Sequence, residues 1–170
     1  KYKSKKAQKY FAKVTENILE DLDIFKIPPQ HKNNSEVENA ENLLAYQVNL
    51  ILDNSNVKEI PVVIETSPTY NNLFGAIEKV NDGHGGWYSD FTKIKAGSLL
   101  KANSGFLVLN VLHLFEEAAV WKTLKRVLTY RKLEIQESPA LFSFSASILK
   151  PEPINIDTKV ILLGSQYIYS

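Results

Sequence analysis

An α/β fold follows from three features of this 170-residue chain. Three short apolar runs, at 61–65 (PVVIE), 106–109 (FLVL) and 159–164 (KVILLG), have the length and character of strands covered on both faces of a parallel sheet. Two longer stretches, 6–25 and 113–130, place apolar residues at helical spacing. The central run comes after a polar segment containing Gly97 and Gly105 and ends at a polar tip, Asn110. Ligands of open α/β sheets bind outside the carboxyl ends of the strands, so Asn110 stands at the expected functional edge.

Composition narrows the class. Hydrophobic residues make up 44% of the chain and charged residues 23%, the balance of a globular domain with a sizeable core. A net charge of +1 provides no global attraction to nucleic acid or to an anionic membrane. Cysteine is absent, which removes disulfides, thiolate ligands and thiol nucleophiles. No apolar run approaches bilayer-spanning length and no signal peptide is evident, so a cytoplasmic location is expected. Methionine is also absent, even at position 1, and the chain is expected to be a piece of a longer protein.

In chain order, Lys1, Lys3, Lys5, Lys6 and Lys9 form a basic start. No aromatic stacking platform accompanies them, so they read as a solvated helix start. Phe11, Val14, Ile18, Leu22 and Phe25 then lie on one helix face, and Pro28-Pro29 ends the helix. Residues 30–42, rich in Asn and Glu, read as a linker. Residues 46–52 (YQVNLIL) predict a strand and Asp53-Asn54-Ser55-Asn56 a turn. After the run at 61–65 come a loop at 67–72, a short helix at 73–80 and a glycine-rich tip at 81–86. Trp87 and Tyr88 come next, placed to present rings to a partner or to fold back on the core. A single helix is predicted over 113–130, with Glu116 and Glu117 early and Lys125 and Arg126 late, matching the helix dipole. Residues 133–135 and 140–149 predict an antiparallel hairpin, and Pro151-Glu152-Pro153 an extended break.

Self-contained chemistry is not apparent. His31, His84 and His113 lack metal-ligand spacing, so no metal site is predicted. There is no GxSxG elbow and no GxxxxGK[ST] phosphate loop.

Several segments carry a family resemblance. They include PVVIE at 61–65, PTYNNLFG at 68–75, KAGSLLKANSGFLVLN at 95–110, Trp121 with LKR at 124–126, PEPI at 151–154 and KVILLG at 159–164. Their order resembles the AAA+ part of Lon-like ATP-dependent proteases, and is most similar to the bacterial group related to archaeal LonB. The stretch at 14–25 (VTENILEDLDIF) resembles the helical segment that precedes this module there.

The resemblance implies a partial AAA+ core of parallel strands 2, 3 and 4 flanked by helices. It adds a β-hairpin insertion (133–149) and an N-terminal helical segment. Domain boundaries follow as the end of a helical insertion at 1–29, a linker at 30–44 and the partial core at 45–170. The phosphate loop and a Ser-Lys protease domain are expected outside this chain, leaving no proteolytic residue within it.

Asn110 and Val111 then occupy the Walker B positions where an Asp and a Glu usually stand, and Ser165 occupies sensor 1. Asn brings no charge and Val cannot act as a base, so weak hydrolysis is expected unless Glu65 substitutes as the acid. Trp87 and Tyr88 fall at the pore loop that grips substrate, and the 133–149 hairpin also faces the pore. Lys125 and Arg126 read as a basic helix end or as a contact to a neighbouring subunit. The parent is expected to use ATP and Mg²⁺, none of it bound to this piece alone, and to form a hexameric ring that unfolds proteins. A non-hydrolysing AAA+ scaffold or protein-interaction module is the alternative. A nucleic-acid-binding AAA+ module is a third reading that the near-neutral charge disfavours.

Overall fold

Two compact units make up the chain in the computed structural model, Lys1–Val48 and Asn49–Ser170. The structure describes residues 4–25, 43–81, 83, 85–136 and 149–168. In the first unit, α1 (Lys5–Glu20) is followed by a 3₁₀ turn at Leu22–Phe25. The helix is amphipathic as its spacing predicts, yet none of its residues is buried. Phe25 packs at a tilt against Tyr46, ring centroids 5.4 Å apart. The helix predicted to run to Phe25 and stop at Pro28-Pro29 ends instead at Glu20, with Asp21 as its C-cap; Pro28-Pro29 and the linker at 30–42 lie outside the described residues.

The second unit is α/β. β1 (Val62–Glu65) leads to α2 (Tyr70–Phe74), and then β2 (Ala76–Ile77) pairs antiparallel with β5 (Ile94–Lys95). Between these two, β3 (Val80–Asn81) and β4 (Trp87–Tyr88) form a small antiparallel ribbon. A short helix, α3 (Ser98–Lys101), precedes β6 (Phe106–Asn110). Then come α4 (Val111–Glu116), α5 (Ala118–Tyr130), β7 (Lys132–Leu133), β8 (Ile154–Asn155) and β9 (Lys159–Leu163). β7 pairs antiparallel with β8.

The three apolar runs form one parallel sheet in the order β1-β6-β9, as the sequence predicts. Gly105 sets the entry to the central strand. A Cβ there would run into the Pro61 carbonyl oxygen, which accepts a 2.8 Å hydrogen bond from the Phe106 amide. Side chains alternate across a strand. Val63, Leu107, Leu109, Val160 and Leu162 therefore share one face, packed into a core with Leu73, Phe74, Leu99, Leu114 and Leu124.

Coverage of both faces is not what the described residues show. Val62 (63% exposed), Ile64 (69%), Ile161 (44%) and Leu163 (54%) line the other face. An unbroken apolar run is compatible with burial on both sides but does not supply the second layer.

Three further expectations change. Residues 46–52 do not form a strand. Instead, the Asn49 side-chain amide donates to the carbonyls of Phe91 (2.8 Å) and Ile94 (3.1 Å), while Val48 and Leu50 are exposed. The segment is held by a side chain and by Ile51 and Leu52 packing on the core, not by a ladder. The helix predicted at 73–80 begins earlier and is shorter. Thr69 caps it, its hydroxyl accepting from the Asn72 amide, and Gly75 ends it at φ +94°, where a Cβ would strike the Lys95 carbonyl.

The helix predicted over 113–130 is two helices broken at Glu117, whose backbone is extended. In one continuous helix Leu114 and Val120 would point about 120° apart. The break lets both be fully buried, and it is braced by an edge-to-face contact between Phe115 and Trp121, centroids 5.3 Å apart. The turn at 53–56 forms as predicted, with the Ser55 amide bonding the Asp53 carboxylate at 2.9 Å. The hydroxyl and amide of Ser55 hold that carboxylate below its ordinary range. Of the predicted hairpin, residues 137–148 lie outside the described residues. The β7–β8 pair brings the two ends of that excursion together.

Candidate functional site

At the carboxyl edge of the sheet, β6 ends in Asn110 and runs directly into α4. The Asn110 carboxamide oxygen accepts a 2.9 Å bond from the Leu112 amide, so this side chain is the N-cap of α4. Val111 is 3% exposed and belongs to the buried side of the same helix. Asn110 is in register with Leu163 of β9, and Ser165 lies two residues beyond that position, exposed. The edge thus offers a carboxamide and a hydroxyl, both neutral.

Glu65 is the nearest acid by sequence expectation, at the end of β1. Its register partner is Leu109, so it lies on the opposite face of the sheet from Asn110. Its carboxylate accepts from the Ser67 amide at 2.9 Å and from the hydroxyl of Ser98, which is itself buried. Glu65 therefore ties β1 to the start of α3, and the geometry does not bring it to Asn110 as a substitute acid.

Sequence reasoning missed a cleft beside this edge. Residues Thr66–Thr69 on one side and His113, Glu116 and Glu117 on the other enclose about 230 Å³. The His113 ring nitrogen Nδ1 lies 3.2 Å from the Thr66 carbonyl oxygen. Two carboxylates on one wall make the cleft a poor host for a phosphate. The signal for it was present, a Ser-Pro-Thr turn directly after a strand and a histidine three residues past Asn110. Among the described residues no group of three His, Cys, Asp or Glu side chains is arranged to hold a metal ion.

Lys125 and Arg126 are exposed on α5. The Lys125 ammonium sits 5.2 Å from the centre of the Trp121 ring, a cation–π contact within the helix. Burial raises the pKa of Tyr70 above the ordinary 10.0, against smaller opposing contributions from the Arg126 charge and from hydrogen bonding to Gln136 and Thr123.

Trp87 and Tyr88 are both exposed on the β3–β4 ribbon. Gly83 and Gly85 take positive φ at its tip, and the Gly83 amide bonds the Asn81 side chain at 2.8 Å. Asp82 and His84 of that tip lie outside the described residues. The predicted site residues thus fall on a neutral strand edge and on an aromatic ribbon.

A protein-family model described as "LonB-like, AAA domain" matches residues 58–170, from just before β1 to the end of the chain. The chain belongs to the LonB-like AAA domain family. A comparison with curated proteins found no match. Within this LonB-like AAA domain, the matched span contains the three-stranded sheet, the ribbon and both helices after β6. No helix among the described residues is long and apolar enough to cross a membrane.

Proposed function

We propose that this LonB-like domain is part of the ATPase and unfoldase module of a Lon-like ATP-dependent serine protease. In this reading the parent assembles as a cytoplasmic hexameric ring and pulls unfolded polypeptide through its pore. A phosphate loop and a Ser-Lys dyad elsewhere in the polypeptide complete the activities. The observation that carries the proposal is the family match across 58–170. The solvent-exposed Trp87–Tyr88 pair supports the substrate-gripping role, because two large rings on an exposed ribbon are suited to a partner.

The donor set at the strand edge fits only part of the nucleotide chemistry. Bound ATP with Mg²⁺ would supply a phosphoanhydride whose cleavage drives motion of the ring. Asn110 is able to accept from a metal-bound water and Ser165 to bond a phosphate oxygen, and both hold without charge. Val111 has no proton acceptor, and Glu65 is engaged by Ser67 and Ser98 on the far face. This edge therefore binds and orients in our reading, and accelerates hydrolysis weakly. The same neutrality favours the second reading, a non-hydrolysing AAA+ scaffold or protein-interaction module. Nucleic acid is not the proposed partner, given the net charge of +1.

The test is to introduce Asn110→Asp, which keeps an acceptor for the Leu112 amide and restores a metal-binding charge, in the full-length protein and measure ATP turnover. That charge should raise the rate by about 10²-fold. A wild-type rate already equal to that of the variant would sink the weak-hydrolysis reading. The 170-residue chain alone is expected to show no ATP turnover, and measurable turnover by it would overturn the assignment of the phosphate loop to another segment.

A further inference from the structure

We infer that the two adjacent aromatic residues of the ribbon have different jobs: Trp87 is the ring that contacts a substrate polypeptide, and Tyr88 holds the ribbon together. This rests on the substrate-gripping role proposed above and divides it between residues. Consecutive residues of a strand point to opposite faces, while cross-strand partners share a face. Trp87 is in register with Asn81, and Tyr88 with Val80. The rings of Trp87 and Tyr88 therefore emerge on opposite sides of the ribbon and cannot grip one chain together.

The two sides differ in chemistry. Tyr88 and Val80 form an aromatic and β-branched cross-strand pair, 48% and 36% exposed, the kind of pair that stabilises a two-stranded ribbon. On the other side the partner of Trp87 is polar. The Asn81 carboxamide oxygen is engaged by the Gly83 amide in the turn, so this side chain serves the tip. Trp87 is left 67% exposed, more than Tyr88.

An indole offers a wide apolar face and a single N–H donor with no acceptor. It suits an extended polypeptide, whose aliphatic side chains lie against the ring and whose free backbone carbonyls accept from the N–H. Neither contact requires a particular sequence.

The experiment uses the full chain and fluorescently labelled, reduced and carboxymethylated α-lactalbumin as the unfolded probe. Binding is read by anisotropy for wild type, Trp87→Ala and Tyr88→Val. The valine keeps a β-branched pair with Val80 and so keeps the ribbon. A photo-crosslinking benzoylphenylalanine placed at 87 or at 88 reports contact directly. Trp121 is the only tryptophan left in Trp87→Ala, and its unchanged emission would verify an intact core.

The expected result is a Kd weakened about tenfold in Trp87→Ala, near wild-type affinity in Tyr88→Val, and crosslinks from 87 far exceeding those from 88. Equal losses, or equal crosslinking from both positions, would overturn the division of labour while leaving the ribbon as the substrate contact. Binding that neither substitution alters, with no crosslink from either position, would instead remove the substrate role itself.

Discussion

The two faces of the β1-β6-β9 sheet are built from the same kinds of residue and have opposite environments. Leu107 and Leu109 are fully buried on one face, while Ile64 and Ile161, in register on the other, are 69% and 44% exposed. Burial alternates along the central strand, with Leu107 and Leu109 buried and Phe106 and Val108 only half-buried, and the contrast is widest on its two neighbours. The difference arises from the helices that connect the strands. Helices α3, α4 and α5 contribute Leu99, Leu114, Val120 and Leu124 to one side, and the described residues contribute no equivalent layer to the other. Apolar content shows that a strand can be buried; register and crossover helices decide which side is.

The largest expected effect breaks the packed face. Leu107→Ala removes a fully buried side chain from the centre of the core and is expected to cost about 2–5 kcal/mol of folding stability, the range for cavities in well-packed interiors. Urea unfolding measures it. A cost below about 0.5 kcal/mol, as for an ordinary surface change, would mean that the two faces are alike.

Tyr70 belongs to the same core, and its hydroxyl allows a test by pH. Burial raises its pKa above 10.0, against a smaller opposing pull from Arg126. The folded state therefore keeps the phenol proton to higher pH than the unfolded state does. That contribution is fully present below about pH 10 and is lost as pH rises through the folded pKa. Stability should fall in this alkaline window more steeply in wild type than in Tyr70→Phe. Identical slopes from the two proteins would show that the phenol is not buried in the folded protein.

Asn110 tests where the packed face meets the functional edge. Asn110→Ala removes the cap of α4 and should cost about 1 kcal/mol, whereas Asn110→Asp preserves an acceptor for the Leu112 amide and should be close to neutral. Equal destabilisation by the two substitutions would show that the cap is not what Asn110 contributes.

These cases also show how much was legible in the chain. The three sheet strands, their parallel character and the polar tip at Asn110 could be read because each run is short, apolar and bounded by Pro, Gly or Asn. The aromatic pair was legible as an exposed feature, but not as a ribbon with two faces, because strands of two residues each carry no period. The break at Glu117 was hidden, since the apolar positions of α4 and α5 together still approximate one helical repeat. The strand expected at 46–52 failed for another reason: one amide, Asn49, bonds two carbonyls more than 40 residues away, and no local pattern announces that. The engagement of Glu65 by Ser98 is likewise a long-range fact, as is its place across the sheet from Asn110.

The smallest expected effect is the most exacting test of the comparison. Ile64→Thr and Ile161→Thr exchange one β-branched residue for another, so strand preference is nearly kept and chiefly apolar contact is lost. At the exposures seen here each should change stability by no more than about 0.5 kcal/mol, in the range of ordinary surface substitutions. Leu107→Ala and Ile64→Thr then differ severalfold although their residues sit on adjacent strands, two register steps apart at most. If the threonine variants instead cost as much as the core variant at low protein concentration, the bare face is covered within the chain itself. If that cost appears only as concentration rises, the cover comes from another molecule, because only an association makes stability depend on concentration. A small cost at every concentration leaves the face open to water, and with it the contrast between two sides of one sheet.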